Sequence, residues 1–416
     1  MLYSESLHQL LLGRQPILDL QQELVAYQLL FRSDRDDTAT LPGDARGATA
    51  AVVCAAFAEL GLANALGRQQ AFIIADEGFI DDDALELLPA PGVVLELALE
   101  RAPTQELLTR CRALRDRGYA LALSNYHGLD ARSAALLPLL SFVKIDAQHN
   151  DAQTVAELAG GLARLPIRLI AQRVETREQM EICRDAGCHL FQGYYFARPD
   201  IVAGRKLSAS QLGLIRLINL VARDAETVDV EDAFKREPGL AVNLLRLVNA
   251  VATGIGRRVD SLRQAVSILG RKQLLRWLQL LLMASPENGC APERNPLLQL
   301  AALRGRLMEL LAQQVQPHDR QFADQAFLAG IMSLMPAALG LPMDEILAQI
   351  AVGTDMRAAL LTRGDTLGQL LALIECFDAN DSAACDAALA LQPALGRESL
   401  STALSESLAW IHAAGD

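Results

Sequence analysis

Cys188 and His189 stand side by side, and thiolate with imidazole is a common transition-metal ligand pair. The chain holds seven cysteines and six histidines, but their spacing does not build a site. There is no CxxC. Cys54, Cys111, Cys183, Cys290, Cys376 and Cys385 are scattered, and His127 and His149 are isolated. The cysteines read as buried free thiols of a reducing cytoplasm. His318-Asp319 is a second pair of ligand types, but it falls in Gln316-Pro317-His318-Asp319-Arg320, a solvated loop between helices. Asp34-Arg35-Asp36-Asp37 and Asp81-Asp82-Asp83 gather hard oxygens suited to calcium without the spacing of an EF-hand. A loop and a helix N-terminus, where acid complements the dipole, account for them. Arg271, Lys272 and Arg276 bring positive charge beside Trp277, as a partner or nucleic-acid surface would. A solvated helix face with a buried Trp is the simpler reading.

The chain that must position these groups has 416 residues, enough for two domains with separate cores. It is 51% hydrophobic and 21% charged, the balance of a globular protein. A net charge of −12 repels nucleic acid on average and argues against it as the main partner. The most apolar stretch, Gln273 to Ala284, contains Arg276 and Gln279 and is too short to cross a bilayer. With no basic-then-apolar leader pattern, the expected location is cytoplasmic, with no membrane partner.

The two halves differ in pattern. Short apolar runs at Gly13–Asp19, Leu24–Arg32, Ala71–Ala75, Val93–Leu97, Tyr119–Leu123, Phe142–Ile145, Arg168–Val174 and Leu190–Phe196 read as strands. The first two are joined by a short polar turn. Helical patterns such as Ala45–Leu66, Thr104–Arg117 and Thr176–Ala186 lie between the others. Repeated βα units predict a parallel sheet closed as a TIM-type (β/α) barrel, irregular because the strand count is on the low side for closure. Pro199 to Lys206 reads as a boundary. Beyond it the chain is helical throughout. Ser261-x-x-Gln264 suits a capping box, Leu262, Ala265, Val266 and Leu269 share one face, and Gly270 ends that helix. The expected division is an α/β domain over 1–200 and an all-α domain over 201–416.

Several segments resemble a known family. Gly13-Arg14-Gln15-Pro16-Ile17, Tyr27-Gln28-Leu29-Leu30-Phe31-Arg32, Val143-Lys144-Ile145-Asp146, Val174-Glu175-Thr176 and Phe191-Gln192-Gly193-Tyr194-Tyr195-Phe196-Ala197-Arg198-Pro199 are similar, in order, to the motifs of EAL domains. The resemblance implies a barrel that hydrolyses cyclic di-GMP with two divalent cations held at the ends of its strands. Its ligand positions fall on Gln28, Ile74, Glu96, Ser124, Asn125 and Gln172, with the site lysine as Lys144. Only Glu96 and Lys144 keep the family's residue type. Neutral amides, a hydroxyl and an isoleucine are poor ligands for dications. Gln15, Arg32 and Gln192 match positions that face the nucleotide, Arg suiting phosphate through its two-pronged donor geometry.

The second half resembles an HDOD domain, a relative of the HD phosphohydrolases. Glu237-Pro238-Gly239-Leu240-Ala241, Leu244-Leu245-Arg246-Leu247-Val248-Asn249-Ala250, Val259-Asp260-Ser261-Leu262 and Ala326-Phe327-Leu328-Ala329-Gly330-Ile331-Met332 carry the likeness. The His-Asp pair of true hydrolases falls here on Ser333-Leu334, so no HD metal site is expected. Asn249 reads as a hydrogen-bonding residue of this domain. The whole chain thus resembles the EAL–HDOD signalling proteins of bacteria. The expectation from the substituted ligands is a non-enzymatic protein without metal or cofactor, a platform for protein partners in the control of motility, biofilm or virulence. A metal-independent cyclic di-GMP receptor and a residual phosphodiesterase are the alternatives, and the resemblance allows a homodimer.

Overall fold

The computed structural model describes residues 11–32, 69–81, 85, 88–99, 101–131, 133–198, 207–251, 259, 261–283, 294–379 and 381–413. The helical run expected at 45–66, the acidic run at 34–37 and the boundary segment 199–206 lie outside these residues. The chain forms two compact units, one of residues 1–198, 293–296 and 373–416, the other of 199–292 and 297–372. Residues 373–416 therefore group with the barrel, whereas the sequence reading kept all of 201–416 together. Helical periodicity identifies a helix but not the core it covers.

In the first unit, eight strands close a barrel in sequence order. They are β1 (Leu11–Leu18), β2 (Leu24–Arg32), β3 (Gln70–Ala75), β4 (Val93–Leu97), β5 (Ala120–Leu123), β6 (Phe142–Asp146), β7 (Arg168–Gln172) and β8 (Leu190–Gln192). Strands β2 to β8 are parallel, and β1 runs antiparallel to both its neighbours. The reversed β1 is the irregularity in an otherwise parallel barrel, and eight strands suffice for closure. The cause is the β1–β2 turn. Asp19 Oδ1 accepts from the backbone N–H groups of Gln21 and Glu23, and Gln22 sits at φ 60. So short a connection can only return the chain antiparallel.

Helices α1 (Glu77–Asp81), α2 (Gln105–Asp116), α3 (Ala152–Leu162) and α4 (Arg177–Asp185) belong to this unit. Thr104 caps α2, Asp151 caps α3, and Thr176 with Gln179 forms a capping box on α4. Asp76 Oδ1 accepts the Phe79 N–H at the start of α1. Asp81 is the last residue of that helix, and Asp82 and Asp83, the rest of the acidic run, lie outside the described residues. Cys188 hydrogen-bonds Cys183, and His189 Nδ1 accepts the Leu169 N–H. The adjacent thiol and imidazole thus serve the fold separately.

The barrel interior is layered. Ile17, Ala26, Phe72, Val94, Ala122, Phe142, Ile170 and Leu190 form an apolar floor, one residue from each strand. Side chains alternate along a strand, so a residue two positions on shares the interior face. Two positions towards the C-terminal ends of the parallel strands stand Gln28, Ile74, Glu96, Ser124, Lys144, Gln172 and Gln192. On the reversed β1 the matching residue is Gln15.

The second unit holds α5 (Ala209–Ala222), α6 (Thr227–Lys235), α7 (Pro238–Val251), α8 (Leu262–Met283), α9 (Pro296–Val315), α10 (Arg320–Met332), α11 (Met335–Leu339), α12 (Met343–Gln349), α13 (Thr354–Thr362) and the start of α14 (Asp365–Asp378). Helices α15 (Ser382–Ala390) and α16 (Arg397–Ala413) return to the barrel unit, where α16 packs on β1 and Tyr194 Oη donates to Asp378 Oδ2 at 3.1 Å. Ser261 Oγ accepts the Gln264 N–H, and Gly270, at φ 75, breaks α8 at the expected place. Helices α9 and α10 cross at glycines: a Cβ on Gly330 would lie 2.7 Å from Arg304 O and 2.8 Å from Gly305 Cα. Arg320–Leu339 is apolar and long enough to cross a membrane by length and composition, a longer stretch than the sequence reading singled out. Of its most apolar window, 61% is buried in the fold, as in a core helix.

Asn249 clamps this unit. Its Nδ2 donates to Leu245 O and Val259 O, and its Oδ1 accepts from Val259 N–H, all at 2.8 Å. Val259 is only 3% exposed. Truncation would strand a buried backbone donor and acceptor. Asn249→Ala is expected to destabilise the helical unit by about 2 kcal/mol, read by urea unfolding through Trp277 with Trp410 replaced by Phe. A change below about 0.5 kcal/mol, the size of an ordinary surface substitution, would reject the clamp.

Candidate functional site

The sequence-derived candidates assemble in the interior layer above the apolar floor. Lys144, 1% exposed, donates from Nζ to Glu96 Oε2 at 2.6 Å and Gln28 Oε1 at 2.5 Å. Ser124 Oγ donates to Glu96 Oε1, and Gln28 Nε2 to Phe72 O at 3.2 Å. Gln172 Nε2 donates to Asn125 Oδ1 at 2.6 Å, and Gln192 Nε2 to Gln15 Oε1 at 2.8 Å. Ile74 contributes only apolar surface and pairs in register with Glu96. The Arg32 side chain lies outside the described residues. Gln192 Oε1 meets no donor among the described residues although Gln192 is 7% exposed.

Electrostatically the layer is self-contained, with one carboxylate and one ammonium paired. Burial pulls the Lys144 ammonium below the usual lysine range, and the adjacent Glu96 works against that pull. One level higher on β6, Asp146 is 4% exposed and holds a second cluster. Its Oδ1 accepts from the Gln148 and His149 N–H groups, and its Oδ2 lies 3.0 Å from His149 Nδ1 and 2.8 Å from Arg173 Nη1. Burial opposes ionisation here, but the His149 hydrogen bonds, the Gln148 N–H and the Arg173 charge outweigh it. The carboxyl is held below its usual range. Nothing in residue spacing pointed to this cluster, because three side chains from two strand ends meet only after the barrel closes.

Two residues at the barrel mouth carry unusual backbone. Asn125, just past β5, has φ 47, and Arg173, just past β7, has φ 58. A non-glycine residue in this region costs about 1 kcal/mol or more. Such positions cluster at functional sites, which fits their place beside Gln172.

The family resemblance implies a pair of divalent cations in the ligand layer. Both oxygens of Glu96 are engaged, by Ser124 and Lys144, and the remaining donors are neutral. Among the described residues no three His, Cys, Asp or Glu side chains gather as metal ligands. The donor set does not fit two hard dications.

In the helical unit the counterpart of the His-Asp pair is Ser333. Its Oγ accepts from Arg304 Nη1 at 2.7 Å and donates to Gly330 O at 2.7 Å. A guanidinium buried to 4% exposure thus stands where a hydrolase would gather metal ligands. Asp319 caps α10 through the Phe322 N–H, so the tempting His318-Asp319 pair does structural work beside an exposed imidazole. Arg276 bonds Glu309 and Asp324, Lys272 pairs with Asp324, and Arg271 with Asp224. The basic residues near Trp277 therefore face carboxylates of their own unit.

The chain is a closed (β/α) barrel with a polar layer at its strand ends, followed by a helical unit, and its sequence matches known proteins. Residues 70–199 match the EAL domain and residues 212–337 the HDOD domain. A protein of Vibrio cholerae serotype O1, the cyclic di-GMP phosphodiesterase CdgJ, is 30% identical over 385 residues, covering 91% of this chain and 87% of its own. The uncharacterised protein YuxH of Bacillus subtilis is 24% identical and covers 96% of this chain and 97% of its own. A standalone EAL protein from Vibrio cholerae O395, solved with cyclic di-GMP bound, superposes with TM-score 0.38 at 21% identity, covering 45% of this chain and 91% of its own. The chain belongs to the EAL–HDOD family.

These relations correct the functional expectation. A chain alike over 91% of this length is named a phosphodiesterase. The inference that this chain is no enzyme but a protein-interaction platform is therefore withdrawn. Donor types taken position by position do not establish that catalysis is lost.

Proposed function

We propose that the barrel acts on cyclic di-GMP as a phosphodiesterase, in the cytoplasm. The observation that carries this reading is the 30% identity, spread over 91% of the chain, to a cyclic di-GMP phosphodiesterase. Glu96 and Lys144, paired at 2.6 Å in the polar layer, support it. Glu96 is the group suited to take a proton from an attacking water. Lys144, whose ammonium burial makes a stronger acid than usual, suits proton delivery or charge stabilisation. Because the donor set does not fit two dications, no step is assigned to metal.

The test incubates the full chain with cyclic di-GMP and Mg²⁺ or Mn²⁺ and follows the linear product by chromatography. Product is expected, with Glu96→Gln slowing it by about 100-fold or more, the scale of general acid–base catalysis. Saturable binding with no product would sink hydrolysis. The amide-rich layer and the engaged carboxylate favour, as a second reading, a receptor that binds cyclic di-GMP without metal. Saturable binding in EDTA, with no linear product formed when Mg²⁺ or Mn²⁺ is restored, would support it. Protein partners and a homodimer belong to the same proposal, and light scattering of the full chain distinguishes one chain mass from two.

A further inference from the structure

We propose that Arg173 and His149, arranged on Asp146, form an anion clasp that receives a phosphodiester oxygen of the ligand at the barrel mouth. This rests on the reading that the mouth takes cyclic di-GMP.

A phosphodiester brings negative charge to the barrel. Among the described residues of the interior layer the cation is Lys144, and Glu96 pairs with it at 2.6 Å. Arg173 and His149 stand one level towards solvent. Asp146 shares the strand face of Lys144, so it points to the same interior. Arg173 Nη1 reaches its Oδ2 at 2.8 Å, and His149 Nδ1 reaches the same oxygen at 3.0 Å. The guanidinium and the imidazole are themselves within hydrogen-bond distance, 3.2 Å from Nη1 to Nδ1.

Exposure separates anchor from ligand-facing groups. The Asp146 side chain is 6% exposed, that of Arg173 52% and that of His149 66%. A guanidinium carries five N–H donors in a fixed fork. One is engaged by Asp146, and half of the side chain remains open at the mouth. Holding Nδ1 against Asp146 leaves Nε2 of His149 as the second ring nitrogen, a donor when the ring is protonated. Asp146 is thus the positioning residue, and the fork and the ring are the binding groups. Planar pairing with two phosphate oxygens is what an arginine offers and a lysine does not.

The backbone is the independent observation. Arg173 holds φ 58 directly after β7, a conformation that glycine adopts freely. A strained arginine beside the polar layer of the barrel points to a role for its side chain. Support of Asp146 alone is the competing explanation, and Arg173→Gly separates the two. That change relieves the backbone and removes the guanidinium.

The experiment titrates the full wild-type chain, Arg173→Gly, Arg173→Lys and His149→Gln with cyclic di-GMP in a calorimeter, alongside thermal melts. Arg173→Gly is expected to weaken binding by at least tenfold while melting within about 2 °C of wild type, and Arg173→Lys to recover only part of the affinity. Unchanged affinity in Arg173→Gly, with wild type binding well, overturns the clasp and leaves the proposed function standing. So does a large fall in melting temperature with no change in affinity. If wild type binds no cyclic di-GMP, the proposed function fails and inorganic pyrophosphate decides the clasp. The His149 ring resonance, assigned by its loss in His149→Gln, is expected to shift on adding pyrophosphate to wild type but not to Arg173→Gly. No shift in wild type overturns the clasp.

Discussion

Lys144→Met is expected to destabilise the barrel unit by about 3–5 kcal/mol, the cost of leaving one partner of a buried ion pair without the other. Lys144 and Glu96 are 1% and 3% exposed, and their side chains meet at 2.6 Å. With the ammonium gone, Ser124 remains as a donor to Glu96, and Gln28 Oε1 loses its partner as well. Methionine nearly fills the volume of the lysine stem, so cavity formation contributes little. The deficit is electrostatic, and a second change should reverse it. Glu96→Gln in the Lys144→Met background removes the stranded charge and is expected to recover more than half of the loss. The unfolding of this unit can be followed through Trp410 on α16, with Trp277 replaced by Phe. A double variant no more stable than the single would show that packing, and not the unpaired carboxylate, sets the cost.

The same pair shows what was legible in the sequence. Glu96 and Lys144 are 48 positions apart, and each was picked out only by its place in a strand of the resembling family. The short apolar runs made the strands legible. Because side chains alternate, they also fixed which residues share the interior with Phe72, Phe142 and Ile170. Gln28, Ile74, Glu96, Ser124, Lys144 and Gln172 came together for that reason. What stayed hidden depends on closure and on backbone sign. Spacing does not reveal that Arg173 turns at φ 58 to reach Asp146, or that His149 joins them. The antiparallel β1 was within reach, since the short turn after Ile17-Leu18 permits nothing else. The grouping of α16 with β1 was not, because the amphipathic pattern of a helix is the same whichever core it meets.

The other large effect is expected at Gly193. A Cβ there would lie 1.9 Å from Val174 O and 2.6 Å from both Val174 C and N, all backbone atoms. Side-chain rotation offers no escape, so β8 and the segment after β7 must separate. Two hydrogen bonds hold that contact now, from Val174 N–H to Gln192 O at 3.0 Å and from Tyr195 N–H to Val174 O at 3.3 Å. Gly193→Ala should therefore cost about 3 kcal/mol, the upper part of the overpacking range. Gly187 supplies the control. Its φ of 98 also suits glycine, yet nothing lies within 4 Å of a Cβ there, so Gly187→Ala is expected to cost about 1 kcal/mol from backbone strain alone. The two variants differ again at the mouth. Separation at Gly193 displaces Gln192 on one side and the Gln172-Arg173 corner on the other. Cyclic di-GMP affinity should then fall in Gly193→Ala and hold in Gly187→Ala, as measured by titration of each full-length variant below its melting range. Equal losses of stability at the two sites would mean that the backbone yields at Gly193, and the close crossing would not be what fixes the distance between the two strand ends.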